Sequence, residues 1–167
     1  LLNLISGIYD CDDGRIFFGD TDVTKMPPYT RARMGVARTF QTPQFLQKSS
    51  IRDNLLLGTD LANQFSYGST FFGKSGLDFK AELDELMALA GFTVSNEDEI
   101  EALPYGNKKL LEIVRAMLSH PKLLLVDEPA AGLNNFEMEN IKKLLRFAAD
   151  GGAAVIVIEH AMDFVMS

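Results

Sequence analysis

Two acidic residues standing side by side at the end of an apolar run are the first feature of this 167-residue sequence able to do chemistry. Asp127 and Glu128 follow Leu123-Leu124-Leu125-Val126 and precede Pro129. Such a run reads as a buried parallel strand, and ligands of open α/β sheets bind beyond the carboxyl ends of strands. A pair of like charges there is costly unless a cation or polar partners stand near. A second run, Ala154–Ile158, enters Glu159-His160, and a candidate strand at 36–40 enters Gln41. Acid, histidine and amide thus each follow a strand. Each also has a plain structural use: an Asp-Glu pair can simply end a strand, Gln41 can be a surface amide, and His160 can be structural.

The elements that must position these groups follow from periodicity and punctuation. Leu1, Leu2, Leu4 and Ile5 read as the apolar face of a helix that ends near Gly7. Residues 15–18 form a short β-type run between Gly14 and Gly19-Asp20. Ser50 is placed to cap a helix through Leu57, which Gly58 ends. Residues 59–78, rich in Gly, Ser, Asn and Phe without a period, read as a loop-like insertion. A helix is expected over 79–90, with Leu83, Leu86, Met87 and Ala90 on one face and Gly91 at its close. Leu110, Leu111, Val114, Met117 and Leu118 mark another helix, and 136–149 a third, ended by Gly151-Gly152. Gly106 reads as an N-terminal turn ahead of the second of these. Strand, helix, strand over 123–158 is a βαβ unit, so the expected class is α/β, three layers around a mostly parallel sheet.

Composition narrows the function classes. Apolar residues make up 47% of the chain, ample for a core, and the length fits one domain. A formal charge of −7 argues against nucleic acid as a partner, because phosphate neutralisation needs clustered Lys and Arg. Lys108-Lys109 and Lys142-Lys143 read as solvated helix faces. The single cysteine, Cys11, forms no internal disulfide, which suits a reducing compartment. The two histidines, His120 and His160, lie far apart without Cys partners, unlike a zinc site. No apolar stretch approaches the ~20 residues that cross a bilayer, so membrane association is expected through a partner.

Five short strings, in order, carry a resemblance. Ala37-Arg38-Thr39-Phe40-Gln41 resembles the Q-loop of ABC ATPases. Leu103-Pro104-Tyr105-Gly106-Asn107, running into Leu111-Glu112-Ile113, resembles the signature usually written LSGGQ. Asp127-Glu128 resembles the acidic end of the Walker B strand, Ala130-Ala131-Gly132-Leu133-Asn134 the D-loop, and Ile158-Glu159-His160 the switch histidine. The sequence is therefore similar to the ATP-binding subunits of ABC transporters. ARTFQ, LPYG, DEPAAGLN and IEHAMDFVM look most like the importer ATPases for branched-chain amino acids and related amides.

That resemblance implies a P-loop NTPase fold with a helical signature subdomain: core at 1–41 with the Q-loop strand, helical subdomain at 42–118, core again at 119–167. It implies ATP and Mg²⁺ as ligands. Glu128 would be the general base toward water, Asp127 would hold Mg²⁺, and Gln41 would sense the metal and communicate with a permease. His160 would donate a hydrogen bond near the γ-phosphate. Leu103, Pro104, Tyr105, Gly106 and Asn107, with Asn134 of the D-loop, would face a partner's ATP in trans, Gly106 letting the backbone come close. The implied partners are membrane permease subunits, a second ATP-binding subunit and, indirectly, a substrate-binding protein, at the cytoplasmic face of the membrane. Phe45, Phe65, Tyr67, Phe71 and Phe72 are candidate apolar anchors for the permease.

The sequence departs from the family in three ways. No G-x-x-x-x-G-K-[ST] loop occurs ahead of the Q-loop-like string; the one string of that form, at residues 68–75, lies within the 59–78 insertion, whereas the family's loop supplies the backbone cradle and lysine for the phosphates. In the family it immediately precedes the helix to which Leu1 through Ile5 would belong, so an N-terminally shortened chain is expected, with a degenerate subunit as the alternative. These residues alone are expected not to hydrolyse ATP. Pro104 stands where the signature has serine, and Asn107 where it has glutamine. Two other readings stay open: a non-hydrolysing interaction module, and an ABC ATPase outside transport.

Overall fold

The computed structural model describes residues 1–57, 59, 74–93, 100–161 and 164. In chain order the elements are α1 (Leu2–Ile5), β1 (Phe17–Phe18), β2 (Thr21–Asp22), α2 (Pro28–Arg33), β3 (Val36–Arg38), α3 (Ile51–Leu56) and α4 (Lys74–Ala90). A 3₁₀ turn (Ile100–Ala102) then leads to α5 (Tyr105–Met117), β4 (Leu123–Asp127), α6 (Asn135–Asp150) and β5 (Ala154–Ile158).

The three apolar runs form one parallel sheet in the order β3-β4-β5. Val36 is level with Leu123, and Asp127 with Ile158. β4 is apolar from Leu123 to Val126 because both of its faces are covered there. Leu124 and Val126 belong to the main core with Leu111 and Val114 of α5 and Ile141 and Leu144 of α6. Leu123 and Leu125 pack on the opposite side with Leu2 of α1, beside Ile5, Phe18 and Ile156. Helix, sheet, helix is the three-layer arrangement expected. Removing any one fully buried side chain such as Leu124 or Leu144 would cost about 2 to 5 kcal/mol.

Local chemistry sets the element ends. Ser50 Oγ accepts the Asp53 N–H at 3.1 Å and starts α3 as expected. Asn134 and Glu137 close a reciprocal capping box that starts α6. Gly7 follows α1 at φ +79°, the left-handed turn the sequence indicated, and it lies so close under Arg31 that a side chain there would press on the guanidinium.

Several boundaries differ from expectation. The strand placed at 15–18 is only Phe17–Phe18, because it is one arm of a two-residue hairpin whose other arm, Thr21–Asp22, is exposed and carries no apolar signal. The strand at 36–40 ends at Arg38, where Phe40 turns its N–H away from the ladder to Glu112. Helix α4 begins at Lys74, inside the stretch read as loop to residue 78. Residues 60–73 of that insertion, including Phe65, Tyr67, Phe71 and Phe72, and residue 58 lie outside the described residues. Gly106 is not ahead of a helix but buried in the first turn of α5, whose N-cap is Pro104.

Candidate functional site

Parallel register brings the strand ends together, and with them the polar residues that follow. Glu128 leaves β4 with φ +45°, a left-handed conformation that costs a residue with a Cβ on the order of 1 kcal/mol. Its N–H donates to the Ile158 carbonyl at 2.8 Å, and its carbonyl accepts the Lys109 ammonium at 3.0 Å. The carboxylate is thereby turned toward two partners. Gln41 Nε2 donates to Glu128 Oε2 at 2.8 Å, and His160 Nε2 lies 3.5 Å from Glu128 Oε1. The His160 side chain is 83% exposed, so its other face is open to a ligand. Gln41, Glu128 and His160, predicted separately from three strand ends, form one cluster.

Asp127 lies beside it and meets Arg38 of β3, with Nη2 3.3 Å from Oδ2. A second guanidinium nitrogen, Nη1, donates to Asn3 of α1 and, at 3.0 Å, to the hydroxyl of Ser6, the C-cap of that helix. Glu159, between β5 and His160, accepts three backbone N–H groups, from Ala130 (2.9 Å), His160 (2.8 Å) and Ala161 (3.0 Å). Burial would push its carboxyl up, but those three donors outweigh it and hold the pKa below the usual carboxylate value.

The residues from the signature-like string are divided. Tyr105 joins the cluster, donating from Oη to the Gln41 carbonyl at 3.2 Å and lying beside Gly132. Leu103 packs against the main core, and Pro104 is the exposed N-cap of α5. Asn107 is half-buried in the first turn of α5. Asn134 spends its side chain on the α6 capping box. Gly106 has a local reason to be glycine: a methyl group there would collide with the Glu137 carboxylate of that box. Sequence reasoning missed Arg38, Lys109, Glu112 and Glu159 as site supports. The available signal was their charge inside or beside apolar runs, since buried charges require partners.

Mg²⁺ fits the donors present. Asp127 and the amide oxygen of Gln41 are hard oxygens, the set this ion takes, and it completes its shell from water and phosphate oxygens. No group of three or more His, Cys, Asp or Glu residues forms a protein-only cage among the described residues.

A three-layer α/β fold whose parallel sheet brings an acidic pair, a glutamine and a histidine to neighbouring strand ends has the architecture of a P-loop NTPase. The sequence profile of the ABC transporter family matches residues 1–131, and the chain belongs to that family. It is 32% identical to a probable branched-chain amino acid transport ATP-binding protein, LivG, of Archaeoglobus fulgidus, over 99% of this chain and 65% of the relative. It is 30% identical to the high-affinity branched-chain amino acid transport ATP-binding protein BraF of Pseudomonas aeruginosa, over 100% of this chain and 68% of that one. Among solved structures, a nucleotide-free ATP-binding cassette from an ABC transporter aligns with TM-score 0.74 at 27% identity, covering 99% of this chain and 66% of the cassette. A dimeric cassette bound to ADP and Pi, 17% identical, shares the fold with TM-score 0.78. The chain spans about two thirds of the length of these relatives. No helix among the described residues is long and apolar enough to cross a membrane.

Proposed function

We propose that this chain supplies the acid, glutamine and histidine of an ATP-hydrolysing site that powers an ABC importer. The observation that carries the reading is the Gln41–Glu128–His160 cluster at the ends of three adjacent parallel strands. Phosphoryl transfer to water needs little covalent work from the protein; positioning and charge stabilisation supply most of the rate. Glu128 is the general base that takes the proton of the attacking water. Asp127 and Gln41 hold Mg²⁺, which neutralises charge on the phosphates when bound. His160, exposed beside Glu128, donates toward the γ-phosphate.

The first turn of α5, with Gly106 and its neighbours Leu103, Pro104, Tyr105 and Asn107, faces the nucleotide of a second ATP-binding subunit, and Asn134 supports that face from the start of α6. The division into core (1–41, 119–167) and helical part (42–118) belongs to the same reading. LivG and BraF, named for branched-chain amino acids, support that substrate class or related amides, against a ribose importer protein of Shouchella clausii at 26% identity. The partners are membrane permease subunits, which hold the chain at the cytoplasmic face, with a substrate-binding protein acting through them.

Hydrolysis also requires a phosphate cradle, and the one G-x-x-x-x-G-K-[ST] string, at residues 68–75, follows the Gln41 strand end rather than preceding it as the family's loop does. The test therefore uses a polypeptide with a phosphate-binding loop placed ahead of Leu1. There Glu128→Gln is expected to slow ATP turnover about 10²- to 10⁴-fold while ATP still binds, and His160→Ala to impair turnover as well. Turnover at the parental rate in Glu128→Gln would remove Glu128 from its role.

A further inference from the structure

Helix α5 carries a polar stripe of which these roles use only Tyr105. Tyr105, Lys109 and Glu112 stand at i, i+4 and i+7, on one helix face. Each meets backbone beside a site residue: the Tyr105 hydroxyl donates to the Gln41 carbonyl at 3.2 Å, the Lys109 ammonium donates to the Glu128 carbonyl at 3.0 Å, and Glu112 Oε1 accepts the Phe40 N–H at 3.2 Å. Two segments far apart in sequence are thus gripped by a single rigid element.

Lys109 is the member hardest to explain by packing. It is 2% exposed, with core residues Leu110, Leu111 and Ile113 beside it in the helix. Taking an ammonium out of water is costly, and an apolar chain of similar volume is often neutral or stabilising at such a site. Burial lowers its pKa, against the carboxylates of Glu112, Asp127, Glu128 and Glu159 that surround it. What a methionine would lack is the hydrogen bond to Glu128. That carbonyl belongs to the left-handed residue whose conformation aims the carboxylate at Gln41 and His160.

We propose that Lys109 is a positioning residue: it pins the Glu128 peptide, so that α5 carries the amide of Gln41 and the acid of Glu128 as one unit. The proposal rests on the reading of Glu128 as general base. It also makes the first turn of α5, about 6 Å along the axis from Lys109, mechanically continuous with the acid in the same chain. A ligand that tilts the start of α5 would then re-aim Glu128 through one hydrogen bond.

The experiment is amide hydrogen exchange on Lys109→Met of the 167-residue chain, followed by NMR. The Glu128 and Ala131 amides are expected to exchange about 10- to 100-fold faster, the loss of one charge-assisted hydrogen bond, while residues 124–126 inside β4 keep their protection. Lys109→Arg, which retains a donor, is expected to restore part of it. In an ATP-hydrolysing form, Lys109→Met should lower kcat at a nearly unchanged KM for ATP. Unchanged exchange at Glu128 and Ala131 in a folded Lys109→Met would overturn the proposal even where Glu128→Gln is inactive; an active Glu128→Gln would instead overturn the general-base reading. Should Lys109→Met fail to fold, Tyr105→Phe replaces it: loss of the hydroxyl is expected to shift the Gln41 side-chain amide resonances, and an unshifted pair sinks the idea.

Discussion

Glu112 is a carboxylate half-served by its surroundings. One oxygen accepts the Phe40 N–H, while Oε2 is buried with no donor. Burial pushes its pKa up, opposed by the Phe40 amide, Arg115 and Lys109. The folded state therefore holds this proton more tightly than the unfolded chain does. Unfolding releases it, so stability is fullest below the ordinary glutamate pKa of about 4.3 and falls as pH rises through the raised folded value. Glu112→Gln keeps an acceptor for Phe40 and removes the titration. Urea unfolding across pH 4 to 8 is expected to show a smaller loss of stability with pH in the variant than in the parent; equal slopes would mean that Glu112 does not hold its proton this way. At this scale the sequence told half the story. Gln41, Asp127, Glu128 and His160 were legible because each closes a recognisable strand. Arg38, Lys109 and Glu112 were not, because their partners are backbone atoms or side chains brought close only by the fold: Lys109 serves Glu128, and Arg38 serves Asp127.

Among the elements, α1 is the one least able to stand alone. Four residues cannot sustain a helix in water. Arg31 of α2 supplies what is missing. Its guanidinium donates to the carbonyls of Leu4 (2.6 Å) and Ile5 (2.9 Å) at the end of α1, and to Met26 (2.9 Å) and Thr24 (3.1 Å) in the approach to α2. Arg31→Met would fill similar space and leave four carbonyls without that donor, at a cost of about 3 kcal/mol or more. Arg33→Met, on the exposed side of the same helix, should change stability by no more than about 0.5 kcal/mol. Denaturant midpoints of the two variants decide this, and equal midpoints would show that Arg31 is not what holds α1. The strands β4 and β5 and helices α5 and α6 were legible from apolar period and capping chemistry. β2 was not, since Thr21 and Asp22 are exposed and held by a turn, and Arg31 reads in sequence like any surface arginine. The α1 end was legible in Gly7 alone, because only that position demands φ > 0.

For the whole molecule the open question is the sheet's outer edge. β5 pairs with β4 on one side, and among the described residues no strand pairs with it on the other. β3, at the opposite edge, is short and flanked by α2 and α5. β5 is Ala-Val-Ile-Val-Ile, with neither charge nor proline, and Val157 is 37% exposed. Natural edge strands usually carry charge, proline or a bulge that prevents pairing with another chain. The net charge of −7 opposes close approach only weakly once salt screens it beyond about 8 Å. A polypeptide of these 167 residues is therefore expected to self-associate through β5, by strand addition between copies. Sedimentation at tens of micromolar should show dimers or larger species, and Val157→Lys, which places a charge on the exposed edge strand, should shift them toward monomer. A monodisperse monomer whose residues 154–158 exchange their amide protons rapidly would show that this edge stays open in water, and that its apolar sequence serves the packing of Val155, Ile156 and Ile158 against the two cores instead.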